Sequence, residues 1–154
     1  MWELVRDSGS LDLNSPYLYL LICTDHAATS VVATDDAGNM LGFVAAYRPP
    51  QDPGAVFVWQ VGVAQAARGR GLGRRLIMAT LATDGNRDVR ELVATVTPSN
   101  AASMALFKGL GRDLGAPVAE RERFGVGLFP ADAGAHEPEV ELRVGPLPTA
   151  GDSA

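Results

Sequence analysis

Cysteine is almost absent from this chain of 154 residues. Cys23 is the only one, so no disulfide can form within the chain, and a reducing compartment such as the cytosol fits. Histidine is nearly as scarce. His26 and His136 stand far apart and without cysteine partners, so the expectation is no metal. Positive charge is not in excess either. Lys and Arg number 13 against 18 Asp and Glu, a formal net charge of -5, which argues against nucleic acid as a partner. The longest apolar run, around residues 17–23, falls short of the roughly 20 residues that cross a bilayer. The first residues carry no leader pattern, and no internal repeat is visible. What remains is the expectation of a single cytoplasmic domain. With 47% hydrophobic residues, it has enough apolar surface to bury a core.

What the chain does have is a stretch that reads as strand, glycine loop and helix. Residues 56–63 are an apolar, strand-like run. Arg68, Gly69, Arg70, Gly71, Leu72 and Gly73 follow, and a helical pattern then begins at Arg74, Arg75, Leu76 and Ile77. This order is a way to hold a phosphate. The first turn of a helix has N–H groups with no intrahelical partner, and the helix dipole places partial positive charge there. Glycines let the backbone approach an anion closely and take up positive φ. Four arginines within residues 68–75 make a local anion site in an acidic chain. A nucleotide P-loop is excluded, because it requires Gly-Lys-Ser/Thr where this chain has Gly-Arg-Arg. A dinucleotide fingerprint is excluded by Arg74, where a small residue is needed.

The rest of the chain reads as an α/β (α+β) protein with a mixed central sheet flanked by helices. Residues 1–7 predict a short helix. Asn14 or Ser15 caps a second helix that starts at Pro16 and ends near residue 25. Residues 29–34 and 40–48 predict a hairpin about the turn at residues 35–39. Residues 55–63 form a near-continuously apolar third strand, and such a strand belongs in a sheet centre. After the loop helix, residues 91–97 predict a strand and residues 101–110 a helix ended by Gly109 and Gly111. Residues 117–123 and 139–144 predict two last strands. The domain is expected over 1–146, with 147–154 a flexible tail.

The loop Arg68-Gly69-Arg70-Gly71-Leu72-Gly73 matches the Arg/Gln-x-x-Gly-x-Gly/Ala pyrophosphate loop of the GNAT acetyltransferases. Pro98-Ser99-Asn100-Ala101-Ala102-Ser103 followed by Leu106-Phe107 resembles the second signature of that fold. Longer blocks resemble one branch, the diaminobutyrate acetyltransferases of ectoine biosynthesis. They are residues 2–9, 11–17, 57–61 and 95–100, and His136-Glu137 before the last strand. The resemblance spans residues 2–146. It implies transfer of acetyl from acetyl-CoA, without metal, to the N4 amine of L-2,4-diaminobutyrate by a cytoplasmic enzyme of osmoadaptation. The product feeds a compatible solute. It also implies a homodimer, with no nucleic-acid or membrane partner.

In such a fold a bulge in the strand before the loop splays two parallel strands, and the coenzyme lies between them. The cofactor-binding residues implied are Val61 and Val63 through backbone, then Arg68, Gly69, Arg70, Gly71, Leu72, Gly73 and Arg74, with Asn100 and Ser103 from the second signature. The backbone N–H near Val61 is the implied oxyanion donor. Asp12, Tyr17, Trp59 and Glu137 are the implied substrate-binding residues, with Glu137 and Asp12 catalytic. Glu137 accepts a proton from the attacking amine and Asp12 holds the other ammonium, or the reverse. His136 is an alternative base. Read from the residues alone, Asp12 is a cap or turn aspartate, Trp59 packs a core, Asn100 caps a helix and Glu137 is a surface carboxylate.

Three departures from the family accompany the resemblance. The first strand is missing ahead of the first helix, and either an edge strand is lost or the start codon lies upstream. The place often held by an acid tyrosine holds Phe107. Residues 124–127 carry glycines unusual for the family. Two other readings stay open: a GNAT enzyme for another small amine, such as a polyamine or aminoglycoside, and a non-catalytic acyl-CoA sensor.

Overall fold

A computed structural model of the chain describes residues 1–9, 11–130 and 134–148. By its internal contacts the chain divides into two units, Met1–Val89 and Arg90–Ala154. The first unit opens with α1 (Trp2–Ser8), which Gly9 ends in the left-handed conformation at φ 61°, the usual use of a glycine after a helix. Helix α2 (Pro16–Asp25) has Pro16 at its first position, and Ser15 Oγ accepts the Tyr17 N–H at 3.2 Å. Ser15, and not Asn14, is therefore the cap. Three strands follow: β1 (Val31–Thr34), β2 (Met40–Tyr47) and β3 (Ala55–Val63). They pair antiparallel in sequence order.

Local chemistry fixes these elements. In the β1–β2 turn, Asp35 Oδ1 accepts the N–H groups of Ala37 and Asn39 at 3.0 and 2.8 Å. The Asn39 side chain, and then the backbone N–H groups, hold the Asp35 carboxyl below its ordinary range. Val5, Tyr19, Ile22, Phe43 and Ala45 form one core cluster. Tyr19 meets the Phe43 ring edge-on at 6.4 Å. Burying a ring such as that of Phe43, at 0% exposure, contributes about 2–3 kcal/mol. The loop between β2 and β3 is tied down by Arg48, which bonds the Pro53 carbonyl at 2.9 Å and Asp88 at 2.6 Å. Helix α3 (Leu72–Leu81) buries Leu76, Ile77 and Thr80 and comes close to β2 at Gly42. A Cβ there would lie 2.8 Å from the Gly62 carbonyl oxygen and 3.0 Å from Leu76 Cδ1.

The second unit holds β4 (Glu91–Val96), α4 (Ala101–Leu114), β5 (Val118–Phe124) and β6 (Glu139–Val144). Strand β6 pairs antiparallel with both β4 and β5. Helix α4 corrects one expectation, because it runs through Gly109 and Gly111 to end at Gly115, φ 62°. Gly111 is a packing residue. A Cβ on it would stand 2.3 Å from Val118 Cγ2, so glycine there lets α4 lie against β5. The Gly115 and Ala116 amides close the end on the Arg112 and Gly111 carbonyls, a Schellman pattern. The tail is corrected at Leu147, which is buried and whose N–H bonds the Arg90 carbonyl at 2.7 Å. Residues 149–154 lie outside the described residues.

Strand β6 carries a carboxylate where simple alternation predicts a solvated one. Glu141 is 1% exposed. It accepts from Arg121 Nε at 2.8 Å, Arg123 Nη1 at 3.0 Å and Arg143 Nε at 3.4 Å. Burial is the largest single influence on its carboxyl and pushes it up. The hydrogen bond and charge of Arg121, with those of Arg143, outweigh burial and hold it below the ordinary range. Arg143 also pairs with Glu91.

Candidate active site

The glycine loop forms as its sequence dictates. Residues 65–67 make a 3-10 turn, after which Gly69 and Gly71 take φ 74° and 70°. A Cβ-bearing residue would be strained at both. Gly71 is the N-cap of α3 and brings no side chain to its first turn. The opening amides of the helix, those of Leu72 and Gly73, have no intrahelical acceptor by helix geometry. Arg68, Gly69, Arg70, Gly71, Arg74 and Arg75 are exposed around them. Arg68 Nε bonds the Val63 carbonyl at 3.1 Å, and Arg75 Nη1 bonds the Arg70 carbonyl at 2.7 Å. These bonds tie the loop to its own main chain.

The strand before the loop carries a bulge. Ala45 of β2 faces Gln60 and Ala46 faces Val58, so Trp59 is one residue extra on β3. A bulge bends its strand and re-aims the side chain it carries. Trp59 is 47% exposed, so it does not pack a core as its apolar neighbours suggested. Gln60 beside it is 9% exposed. Its Oε1 accepts the Tyr19 hydroxyl at 2.9 Å, and its Nε2 donates to the Asp12 carbonyl at 3.0 Å. Asp12 is exposed and is not the cap of α2, which is Ser15. Of the two tyrosines on α2, Tyr19 is buried and Tyr17 is 66% exposed. The structure thus brings Asp12, Gln60 and Tyr19 together and leaves Trp59 and Tyr17 open to solvent. Val61 and Val63 lie beyond the bulge, in register with Val44 and Gly42.

In the second unit, the turn before α4 is organised by two side chains. Asn100 Oδ1 accepts the Ser103 N–H at 3.1 Å, so Asn100 is the helix cap its residue type predicts. Glu137 accepts the Ser99 N–H at 3.1 Å on one oxygen and the Ser99 hydroxyl on the other. It is an exposed carboxylate held in one place. His136 stacks on Phe129, ring centroids 4.5 Å apart. Phe107 is 3% exposed and has no proton to give. Among the described residues, no three His, Cys, Asp or Glu side chains gather as metal ligands. Sequence reasoning missed two residues of these arrangements. Gln60 left a signal, a lone amide in an apolar strand. Ser99 left none beyond its place in the second signature, since its partner lies 38 residues away.

Comparison with known proteins gives a consistent picture. A family model described as Acetyltransferase (GNAT) family matches residues 1–111. The L-2,4-diaminobutyric acid acetyltransferase of Chromohalobacter salexigens is 45% identical over 147 residues, 96% of this chain and 75% of that protein. That of Marinococcus halophilus is 48% identical over 147 residues, 96% of this chain and 83% of that protein. A solved structure of diaminobutyrate acetyltransferase EctA from Paenibacillus lautus, in complex with its substrate L-2,4-diaminobutyric acid and coenzyme A, is 38% identical. It superposes with a TM-score of 0.87 over 94% of this chain and 86% of that one.

Proposed function

The chain belongs to the acetyltransferase (GNAT) family and to its L-2,4-diaminobutyric acid acetyltransferases, and we propose its reaction from that premise. It transfers acetyl from acetyl-CoA to the N4 amine of L-2,4-diaminobutyrate, giving N4-acetyl-L-2,4-diaminobutyrate in ectoine biosynthesis. The observation that carries this reading is the start of α3, where two left-handed glycines and exposed arginines surround an uncapped helix end. That geometry suits the diphosphate of coenzyme A. The family model runs unbroken across residue 89, which supports reading 1–146 as one acetyltransferase domain.

The chemistry follows from the groups available. The N4 amine attacks the thioester carbonyl in its neutral form, making the C–N bond and leaving a proton to be removed from nitrogen. The carbonyl oxygen gains charge and accepts from a backbone N–H, for which we take Val61. The C–S bond then breaks and the thiolate leaves. A thiol of pKa about 8.5 leaves without prior protonation, so the buried Phe107 in place of a tyrosine is compatible with turnover. Glu137 takes the amine proton, directly or through water. Its fixed position on Ser99 supports this role, because proton transfer needs a defined distance. Asp12 holds the second ammonium, and Trp59 and Tyr17 supply an aromatic wall. Asn100 and Ser103 lie at the second coenzyme contact.

A cytoplasmic location is supported by the lone, exposed thiol of Cys23. No helix among the described residues is long and apolar enough to cross a membrane. A homodimer is supported by the exposed apolar side chains of Phe124, Val126 and Leu128, because contiguous exposed apolar groups mark contact surfaces.

The test is an amine-panel assay that detects released thiol. Diaminobutyrate is expected to exceed lysine, ornithine and spermidine in kcat/KM by at least about a hundredfold. Glu137→Ala is expected to lower kcat about a hundredfold. Equal rates across the panel, or no turnover on any amine, overturn the substrate assignment.

A further inference from the structure

We propose that Gln60 is a positioning residue for the amine substrate, holding the main chain of Asp12 so that its carboxylate meets the substrate ammonium in one place. The proposal rests on the reading of Asp12 as the ammonium partner. Gln60 sits in β3 directly after the bulged Trp59, buried in a strand that is otherwise apolar. A buried carboxamide must have its donors and acceptor satisfied. This one is satisfied by two segments far from it in sequence. Tyr19 Oη donates to Oε1 across 41 positions, and Nε2 donates to the Asp12 carbonyl across 48.

The orientation of the amide is not arbitrary. A carbonyl oxygen only accepts, so the group facing Asp12 must be Nε2, which leaves Oε1 for the tyrosine hydroxyl. Tyr19 is itself locked, 5% exposed with its ring edge on Phe43. The order of constraint therefore runs from the core outward, from Phe43 to Tyr19 to Gln60 to the Asp12 main chain. Asn14 Nδ2 lies 3.4 Å from the same carbonyl, a weaker contact. The segment around Asp12 has no helix or strand of its own. A loop carboxylate of this kind varies in position unless its backbone is fixed from outside, and an ion pair loses strength with every ångström of slack. The same strand that carries Trp59 thus fixes the location of Asp12.

The test is steady-state kinetics on the full chain, with L-2,4-diaminobutyrate and acetyl-CoA varied in turn. Gln60→Glu keeps the acceptor for Tyr19 but sets an oxygen against the Asp12 carbonyl. It is expected to raise KM for diaminobutyrate about tenfold and to leave KM for acetyl-CoA unchanged. Tyr19→Phe removes one hydroxyl and little packing. It is expected to raise the same constant about threefold, and it carries the test where Gln60→Glu does not fold. In an Asp12→Ala background the carbonyl remains and the carboxylate is gone, so Gln60→Glu should then add less than about twofold. A residue that only staples α2 to β3 would lower Tm and move both Michaelis constants, and its effect would persist without the Asp12 carboxylate. Either result overturns the inference. If Asp12→Ala leaves KM for diaminobutyrate unchanged, the reading of Asp12 fails and the inference with it. If Asp12→Ala raises that KM while neither Gln60→Glu nor Tyr19→Phe does, the inference alone falls.

Discussion

Two groups of arginines in this chain are held in opposite ways. Arg121, Arg123 and Arg143 converge on one buried carboxylate, Glu141. Their charge is met inside the protein, and the group acts as a joint between β5 and β6. In the glycine loop, Arg68 bonds the Val63 carbonyl and Arg75 the Arg70 carbonyl. A carbonyl orders a guanidinium but does not neutralise it. The loop arginines are exposed, and they lie beside an uncapped helix start. The difference shows that the number of arginines says little about a site. What the guanidinium groups bond to decides whether their charge serves the fold or an incoming anion.

Breaking the neutralised group is expected to have the largest effect. Glu141→Ala leaves three arginines without their shared carboxylate and should cost about 3 kcal/mol of stability, the low end for a broken buried pair, because the arginines reach water. Urea unfolding measures it. The same group predicts an acid limb. The folded-state pKa of Glu141 lies below the ordinary value. Its contribution is therefore complete above the unfolded carboxyl range near about 4.3 and is lost as pH falls through the lower folded value. A Glu141→Gln variant should show a flatter stability profile across that acid window.

The loop comes next in size. Gly71→Val forces a β-branched residue to φ near 70°. It should raise KM for acetyl-CoA about thirtyfold, equivalent to about 2 kcal/mol of strain, with Tm less affected than in Glu141→Ala. The smallest effect sharpens the comparison most. Arg70→Ala should raise KM for acetyl-CoA about threefold at low salt, and the difference should vanish near about 0.5 M salt, because an exposed charge is screened. Glu141→Ala should keep most of its penalty in the same salt, since burial excludes the screening ions.

Much of this was legible in the sequence, for local reasons. The hairpin at Asp35, the proline start of α2 and the glycine turn before α3 are set by residues within a few positions of one another, and each formed where its residues predict it, save that α3 begins at Leu72 and not at Arg74. What escaped depends on contacts across long stretches of chain. Gly109 and Gly111 read as a helix end, yet α4 passes through both, because Gly111 is required by Val118 on the neighbouring strand. Glu141 lies in a strand that the sequence predicts, but nothing local marks it for burial, which comes with the register against Arg121. Leu147 read as tail until its amide found Arg90. The candidate site divides in the same way. The loop arginines and glycines could be named from spacing. The fixing of Glu137 by Ser99, and of Asp12 by Gln60, could not, since neither partner is near in sequence.

Ser99 anchors Glu137 and is followed at once by Asn100, the cap of α4. One short turn therefore fixes both the start of a helix and an exposed carboxylate. An engineer who stiffens residues 98–100 to harden the enzyme against heat will also relocate the carboxylate to which we assign proton removal. Gains in durability from that turn should trade against turnover, whereas gains sought at the Glu141 joint should not.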